Sequence, residues 1–412
     1  MKTFSKLGDQ KLLQELNRTL VLNTIHHYGS TSRIEISKLT KLSQSTVSNV
    51  VDGLQKEGIL VEAGTGSSTK AGGRKPTILT IRPGYAYMLA VGIVTEAFHI
   101  TVQLSLFDLR LQIVEKTELE LAETGVELIR SIKDIVREFI EHHAEKKILG
   151  IGFSVPTVLN REGVMFRGHL LGLENFPLEQ ELSAAFPTIP VVVEQEQHAA
   201  VLGERTMGAV KDIENLIYIT VGRGIGSSMI VNGQLVRGEY GGAGEIGHMS
   251  INKYGEKCIC GKMGCLRLYA TELSFIKKIK EAVTHELPVP LTVYNPAIDK
   301  INVLEVYTEA VRGDSFCRSL VEGMLDDLCT AISNLVYLFN PKKIILGGNL
   351  LLAKELAIPR IAERLNEMVD SPASMIEIEA AQLGTQSSLY GVASLLLDKH
   401  FLNKDLLMKE GG

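Results

Sequence analysis

Cysteine is scarce in this chain, with only five thiols in 412 residues. Two of them, Cys317 and Cys329, stand apart from the other three. That distribution excludes the disulfide framework of a small secreted protein, and a reducing cytoplasm is the expected compartment. No apolar run reaches the roughly 20 residues that a spanning helix needs, so membrane insertion is not expected. The opening stretch "MKTFSKLGDQKLLQELNRTL" is polar throughout and shows no secretory signal. Proline is infrequent (12 residues), while 45% of the chain is hydrophobic and 22% charged, a balance that leaves little room for disorder. A length of 412 residues exceeds one ordinary core, so two or three domains are expected.

Charge is unevenly spread. Residues 1–82 carry 12 Lys and Arg against 6 Asp and Glu, whereas the remainder carries 31 against 42. A basic head on an acidic body implies a polyanionic partner for the head alone.

The head has a local pattern that fits such a partner. "RTLVLNTIHHYG" places apolar residues at Leu20, Val21 and Ile25 with a helical period that ends at Gly29. Ser30, Thr31 and Ser32 offer N-caps for a short helix through Ile34, Ile36 and Leu39. Lys41-Leu42-Ser43 reads as a tight turn, with Ser43 capping a second helix through Val47, Val50, Val51 and Leu54. Two short amphipathic helices across a three-residue turn are the sequence form of a helix-turn-helix. The second helix displays Gln44, Ser45, Thr46, Ser48 and Asn49, short hydrogen-bonding side chains suited to base edges and phosphates. Arg33, Lys38 and Lys41 are candidates for phosphate pairing. After Gly58, "ILVEAGTGSSTKAGGRKPTILTI" reads as strand, loop and strand, a wing whose tip carries Arg74 and Lys75 toward a minor groove.

From Tyr87 onward strands and helices alternate in two series, which argues an α/β fold in two lobes. "YMLAVGIVTEAFHITVQLSLFDLRLQIVEKTELEL" reads as three strands, with "FDLR" as one hairpin; "GVELIRSIKDIVREFIEHHAEK" reads as an amphipathic helix. Two later stretches, "GEIGHM" (244–249) and "CICGKMGC" (258–265), are more specific. Together they resemble the signature of the ROK family (repressors, open reading frames, kinases), G-E-x-G-H followed by C-x-C-G-x-x-G-C-x-E. The similarity runs from the helix-turn-helix to "LYGVASLLL" near the end. It implies an actin-like, two-lobed sugar-kinase fold behind a winged helix-turn-helix head. The expected division is residues 1–82 for the head, 83–195 plus 385–403 for the first lobe, and 196–384 for the second lobe, with the metal motif and a dimerisation surface.

His248, Cys258, Cys260 and Cys265 give the spacing H-x9-C-x-C-x4-C, a closed set of four ligands that suits one structural Zn2+. Gly261 and Gly264 let so short a loop converge. The alternatives are free thiols or a disulfide, although one between Cys258 and Cys260 would be badly strained. The resemblance further implies that His248 faces a sugar hydroxyl with its second ring nitrogen and that Glu245 accepts from a hydroxyl.

The family's kinases carry D-x-G-G-T on the first strand turn; here the corresponding stretch is "AVGIVTEAFHI", in which Val94, Thr95 and Glu96 bring bulk and negative charge. The base motif E-N-D-A-N appears as "EQEQH" (194–198), so Glu196 stands for the base and His198 for the closing asparagine. Catalysis is therefore not expected, although "VGRGIG" (221–226) and "LGG" (346–348) persist. Other departures fall at ligand positions: Arg267 replaces the closing acid, and His169 replaces an asparagine just after Arg167. Arginine and histidine suit phosphate or carboxylate better than a neutral sugar, which points to a sugar phosphate or sugar acid. The competing reading is a drifted pocket with Arg267 paired internally to Glu196 or Glu245.

The expected function is a transcriptional regulator, a repressor of carbohydrate genes, binding operator DNA as a homodimer or tetramer and modulated by a carbohydrate-derived effector held between the lobes. A carbohydrate kinase with an appended head, and a repressor sequestered by a transport-system protein without any small effector, are the alternatives.

Overall fold

A computed structural model describes residues 6–66, 75–95, 100–168, 171–208, 210, 213–370 and 375–403. Helix α1 (Lys6–Tyr28) starts well before the apolar period seen in the sequence and ends at Gly29, whose φ of +73° closes it. Strand β1 (Thr31–Ser32) leads into α2 (Arg33–Thr40), where the Ser32 hydroxyl accepts from the Glu35 backbone N–H. Lys41, left-handed at φ 62°, ends α2. The Ser43 hydroxyl then caps α3 (Gln44–Lys56) by accepting from the Thr46 N–H at 3.1 Å. Val21, Ile25, Ile36, Val47, Val51 and Leu54 are fully buried, so the three helices close a core of their own. Each such burial contributes about 1.5–3 kcal/mol. Strands β2 (Leu60–Thr65) and β3 (Thr77–Ile81) form the wing, with β3 in the middle of the order β1-β3-β2.

The body begins with β4 (Tyr87–Thr95), β5 (Ile100–Asp108) and β6 (Ile113–Leu121), an antiparallel meander. β4 reads as a nearly unbroken apolar run and β5 alternates apolar with polar residues, both largely buried, whereas the edge strand β6 is polar and exposed. Helix α4 (Gly125–His142) buries Leu128, Ile129, Ile132 and Val136, one face at helical spacing. β7 (Ile148–Val155) returns parallel to β4. A small hairpin follows, β8 (Met165–Gly168) with β9 (Leu173–Phe176), then α5 (Leu178–Ala185) and β10 (Val191–Gln195). The first sheet has the order β10-β7-β4-β5-β6.

α6 (Glu196–Thr206) opens the second series, followed by β11 (Leu216–Val221), β12 (Ile225–Val231) and β13 (Gln234–Leu235). After the metal-motif loop come α7 (Glu272–Thr284), the short pair β14 (Tyr294–Asn295) and β15 (Lys300–Ile301), α8 (Val303–Arg312) and α9 (Ser315–Phe339). The chain continues through β16 (Lys343–Gly347), α10 (Lys354–Met368), β17 (Glu377–Ala380) and α11 (Ser387–His400). The second sheet runs β13-β12-β11-β16-β17, with β16 parallel to both neighbours. Its core is dominated by α9, which buries a row from Cys317 to Val336.

Two compact units result. One comprises residues 1–154, 178–193 and 392–412 and so includes the head; the other comprises 155–177 and 194–391. Within the second, the fully buried Glu204 accepts from the N–H groups of Gln382 and Leu383 and from the Ser387 hydroxyl, fastening α6 to the start of α11. α6 and α11 pass so closely that a Cβ at Gly391 would strike the Ala199 carbonyl.

Candidate DNA-reading head, metal centre and ligand site

The cap of α3 organises the reading face. Ser43 Oγ lies 2.8 Å from both Ser45 Oγ and Thr46 Oγ1, so the cap also orients the first two hydroxyls of the helix. Gln44, Ser45 and Asn49 are exposed, Thr46 and Ser48 half-buried, while Val47, Val51 and Leu54 turn inward. Lys38, Lys41 and Lys75 are exposed. Arg33 is differently engaged: its guanidinium donates to Asp52 at 2.6 Å and to Gln55 at 2.9 Å, tying α2 to α3. Arg74 lies outside the described residues.

The metal motif folds as a knuckle. Ile246–His248 forms a single 3-10 turn, and the loop is pinned by Cys258 N–H to Lys262 O at 2.8 Å and Gly264 N–H to Glu256 O at 2.7 Å. Gly264 has φ +63°, and a Cβ there would strike the Asn252 carbonyl, so only glycine fits. The ligand atoms of His248, Cys258, Cys260 and Cys265 all lie within 4.8 Å of one another. His248 Nδ1 is 3.7 Å from Cys258 Sγ, and Cys260 Sγ is 3.5 Å from Cys265 Sγ. Metal–sulfur bonds of about 2.3 Å in a tetrahedron give edges of roughly 3.8 Å, so these spacings fit one ion at the centre. Burial and the neighbouring thiols push Cys265 up to about 12. Burial and the cations Arg267 and Lys262 hold His248 below its usual range, leaving the imidazole neutral. A bound cation would relieve the crowding of thiols that burial otherwise penalises.

Near the knuckle is a second polar group. Glu194, nearly buried, accepts from Arg237 at 2.6 Å and lies 3.1 Å from His198 Nδ1. Burial would raise this carboxyl, but His198 and Arg237 outweigh it and hold Glu194 below the usual range. Gln195 Nε2 donates to Glu245 at 3.4 Å, bringing the start of α6 to the G-E-x-G-H turn. Burial raises Glu245, against Gln195, His198 and Arg267, and pushes Glu196 up to about 7. Gln195 Oε1 and His198 Nε2 are buried without a hydrogen-bond partner among the described residues. Arg267 is half-buried and forms no ion pair with Glu196 or Glu245 among the described residues. Arg167 sits on β8 opposite Glu174, and His169 lies outside the described residues. Glu194 and Arg237 had no role in the sequence reading; Glu194 was visible at the head of "EQEQH", whereas Arg237 carried no local signal.

A winged helix-turn-helix joined to an actin-like α/β body defines the class of protein. The ROK family profile matches residues 99–399, and a MarR family profile matches residues 15–61. The chain belongs to the ROK family. It is similar to the xylose repressor of Caldicellulosiruptor bescii, with 30% identity over 95% of this chain and 98% of that protein. It is also similar to the DNA-binding transcriptional dual regulator NagC of Escherichia coli, at 27% identity over 88% of this chain and 87% of that one. Among solved structures, a ROK family transcriptional regulator described as a homologue of the E. coli Mlc protein superposes with a TM-score of 0.81 at 22% identity, covering 97% of this chain and 99% of that one. A ROK family glucokinase from Streptomyces griseus covers 75% of this chain and 99% of its own, with a TM-score of 0.65 at 23% identity.

Proposed function

We propose that this protein is a sequence-specific transcriptional repressor of carbohydrate genes. It binds operator DNA as a dimer, and its affinity is set by a carbohydrate-derived effector without any chemical turnover. The observation that carries this reading is the capped, polar, exposed face of α3 on a basic head, joined in one chain to a body of kinase type. Relatives matched over nearly the whole chain are named repressors, which supports it. Sequence and structure both argue against phosphoryl transfer: "AVGIVTEAFHI" lacks D-x-G-G-T, and the two persistent glycine turns converge on an acid. Glu272, almost fully buried, accepts from Asn349 at 2.8 Å and sits beside Gly222, where a phosphate would meet a carboxylate.

The ion at the knuckle is zinc in this reading, because three thiolates and one imidazole with no further ligand form a closed structural site. His248 binds it through Nδ1, which leaves Nε2 for an effector hydroxyl. The effector is anionic, a sugar phosphate or sugar acid, because Arg267 is a half-buried cation that forms no ion pair among the described residues and lies within electrostatic reach of Glu245 and His248. Gln195 Oε1 and His198 Nε2 supply the remaining polar contacts.

The test is selection of bound duplex from random sequence, then a metabolite screen for release. Recovery of a palindromic site released by an anionic sugar is the expected result. Failure to bind any duplex, or sugar-dependent ATP turnover, overturns the reading.

A further inference from the structure

An open cleft runs along the joint between the head and the rest of its unit. A cavity of about 570 Å³ lies there, lined by Glu15, Arg18 and Glu57 from the head and by Tyr85, Lys147 and Phe401 from outside it. The cleft is open to solvent, so along it the two sides do not interlock, although Leu22 and Ile59 at its floor are buried. At least two polar links cross the joint. On one side, the turn between β5 and β6 is held by the Asp108 carboxylate, which accepts from the Arg110 and Gln112 N–H groups at 2.8 and 2.9 Å. That turn projects Arg110 toward the wing, where Nη2 donates to Thr80 Oγ1 at 2.8 Å and to the Ile81 carbonyl at 3.4 Å. Thr80 in turn donates to the Gly29 carbonyl at 2.9 Å, so one arginine reaches both β3 and the end of α1. On the other side, Asn23 of α1 donates to the carbonyl of the fully buried Leu402 at 3.0 Å.

We infer that Arg110 and Asn23 are positioning residues: this two-point clasp, rather than packing, sets the attitude of the reading head against its own unit. Neither residue belongs to the reading face or the ligand site. The clasp rests on the repressor reading only where operator DNA is the readout.

The experiment uses the full chain with Arg110→Ala, Thr80→Val, their double variant, Arg110→Lys and Asn23→Ala. Binding is measured to the selected operator and to an unrelated duplex across a salt series. Arg110→Ala is expected to weaken operator binding roughly tenfold, within the usual range for coupling between sites. It should leave the unrelated duplex and the salt slope unchanged, because a clasp neutralises no phosphate. Thr80→Val should act alike, the double variant no worse than the weaker single one, and Arg110→Lys should recover part of the loss. Loss on both duplexes with a slope reduced by about 1 would mean that Arg110 is a phosphate contact, and strictly additive singles would mean that it does not act through Thr80; either overturns the clasp. A second arm needs no DNA. Limited proteolysis between Arg82 and Tyr87 should be several-fold faster in Arg110→Ala and Asn23→Ala, with metal content and melting of the body unchanged. Equal cleavage of variants and wild type sinks the proposal, whereas a wild-type chain that binds no duplex but shows the cleavage difference sinks the repressor reading and keeps the clasp.

Discussion

At the scale of single residues, the body places charge where burial works against it and then supplies specific relief. Glu194 is the completed case, held ionised by Arg237 and His198. Glu196 is the uncompleted one, with its carboxyl raised to about 7 by burial alone. The folded value lies above that of an exposed glutamate, so the native state binds this proton more tightly than the unfolded chain. Stability from this group is therefore fullest below about pH 4 and is lost as pH rises through 7. Replacing Glu196 by Gln should flatten that dependence and raise stability at pH 8 by roughly 3 kcal/mol at most, and the melting temperature with it. Thermal melts of both proteins from pH 5 to 8 check the sign. Arg267 offers a different test, because among the described residues it forms no ion pair, although its charge acts on Glu245 and His248. Arg267→Ala should weaken an anionic effector by roughly 10–100-fold while changing melting little, the range expected for charge-assisted bonds. Calorimetry with a sugar phosphate and its parent sugar measures it; equal loss for both would remove the anionic reading. At the knuckle, Cys260→Ser should reduce the metal that the four-residue cluster holds and lower the melting temperature of the second unit, read by metal analysis beside calorimetry.

Secondary-structure elements show where the sequence was legible. The caps Ser32 and Ser43 act on N–H groups three residues away, so both helices of the reading motif could be placed from local residues alone. The metal site was legible for the same reason, since four ligands fall within residues 248–265. The first half of α1 was not, because most of Gln10–Asn17 faces solvent and leaves no apolar period to detect. Arg33, a candidate for phosphate pairing by its charge, donates to Asp52 and Gln55, partners that only the packing of α2 on α3 brings within reach. Glu204 escaped notice altogether, because the groups it holds lie 178 to 183 residues further along. Ser43 therefore carries more than a helix start. Ser43→Ala should destabilise the head by about 1 kcal/mol, and it should also free Ser45 and Thr46 from their shared anchor. Operator affinity should consequently fall further than affinity for unrelated duplex, which competition binding at fixed salt would reveal.

The whole molecule separates a reading surface from a sensing body by charge as well as by fold. Twelve basic residues against six acidic ones in residues 1–82 attract the phosphate backbone, whereas the remainder, at 31 against 42, is repelled by it. In the proposed reading duplex affinity therefore resides in the head, and the candidate metal cluster lies in residues 155–177 and 194–391, which have a sheet and a core of their own. Between the head and the sheet of its unit, the described residues show the covalent connection, an open cleft and polar links from Asn23 and Arg110. Removing residues 1–82 should consequently leave a folded body with its full metal content and effector affinity, and abolish duplex binding at any salt concentration. Metal analysis, calorimetry and duplex titration on the truncated chain decide the matter. A body that lost its metal or its cooperative melt would show that the head is part of its core, and a body that still bound duplex would move the reading surface elsewhere.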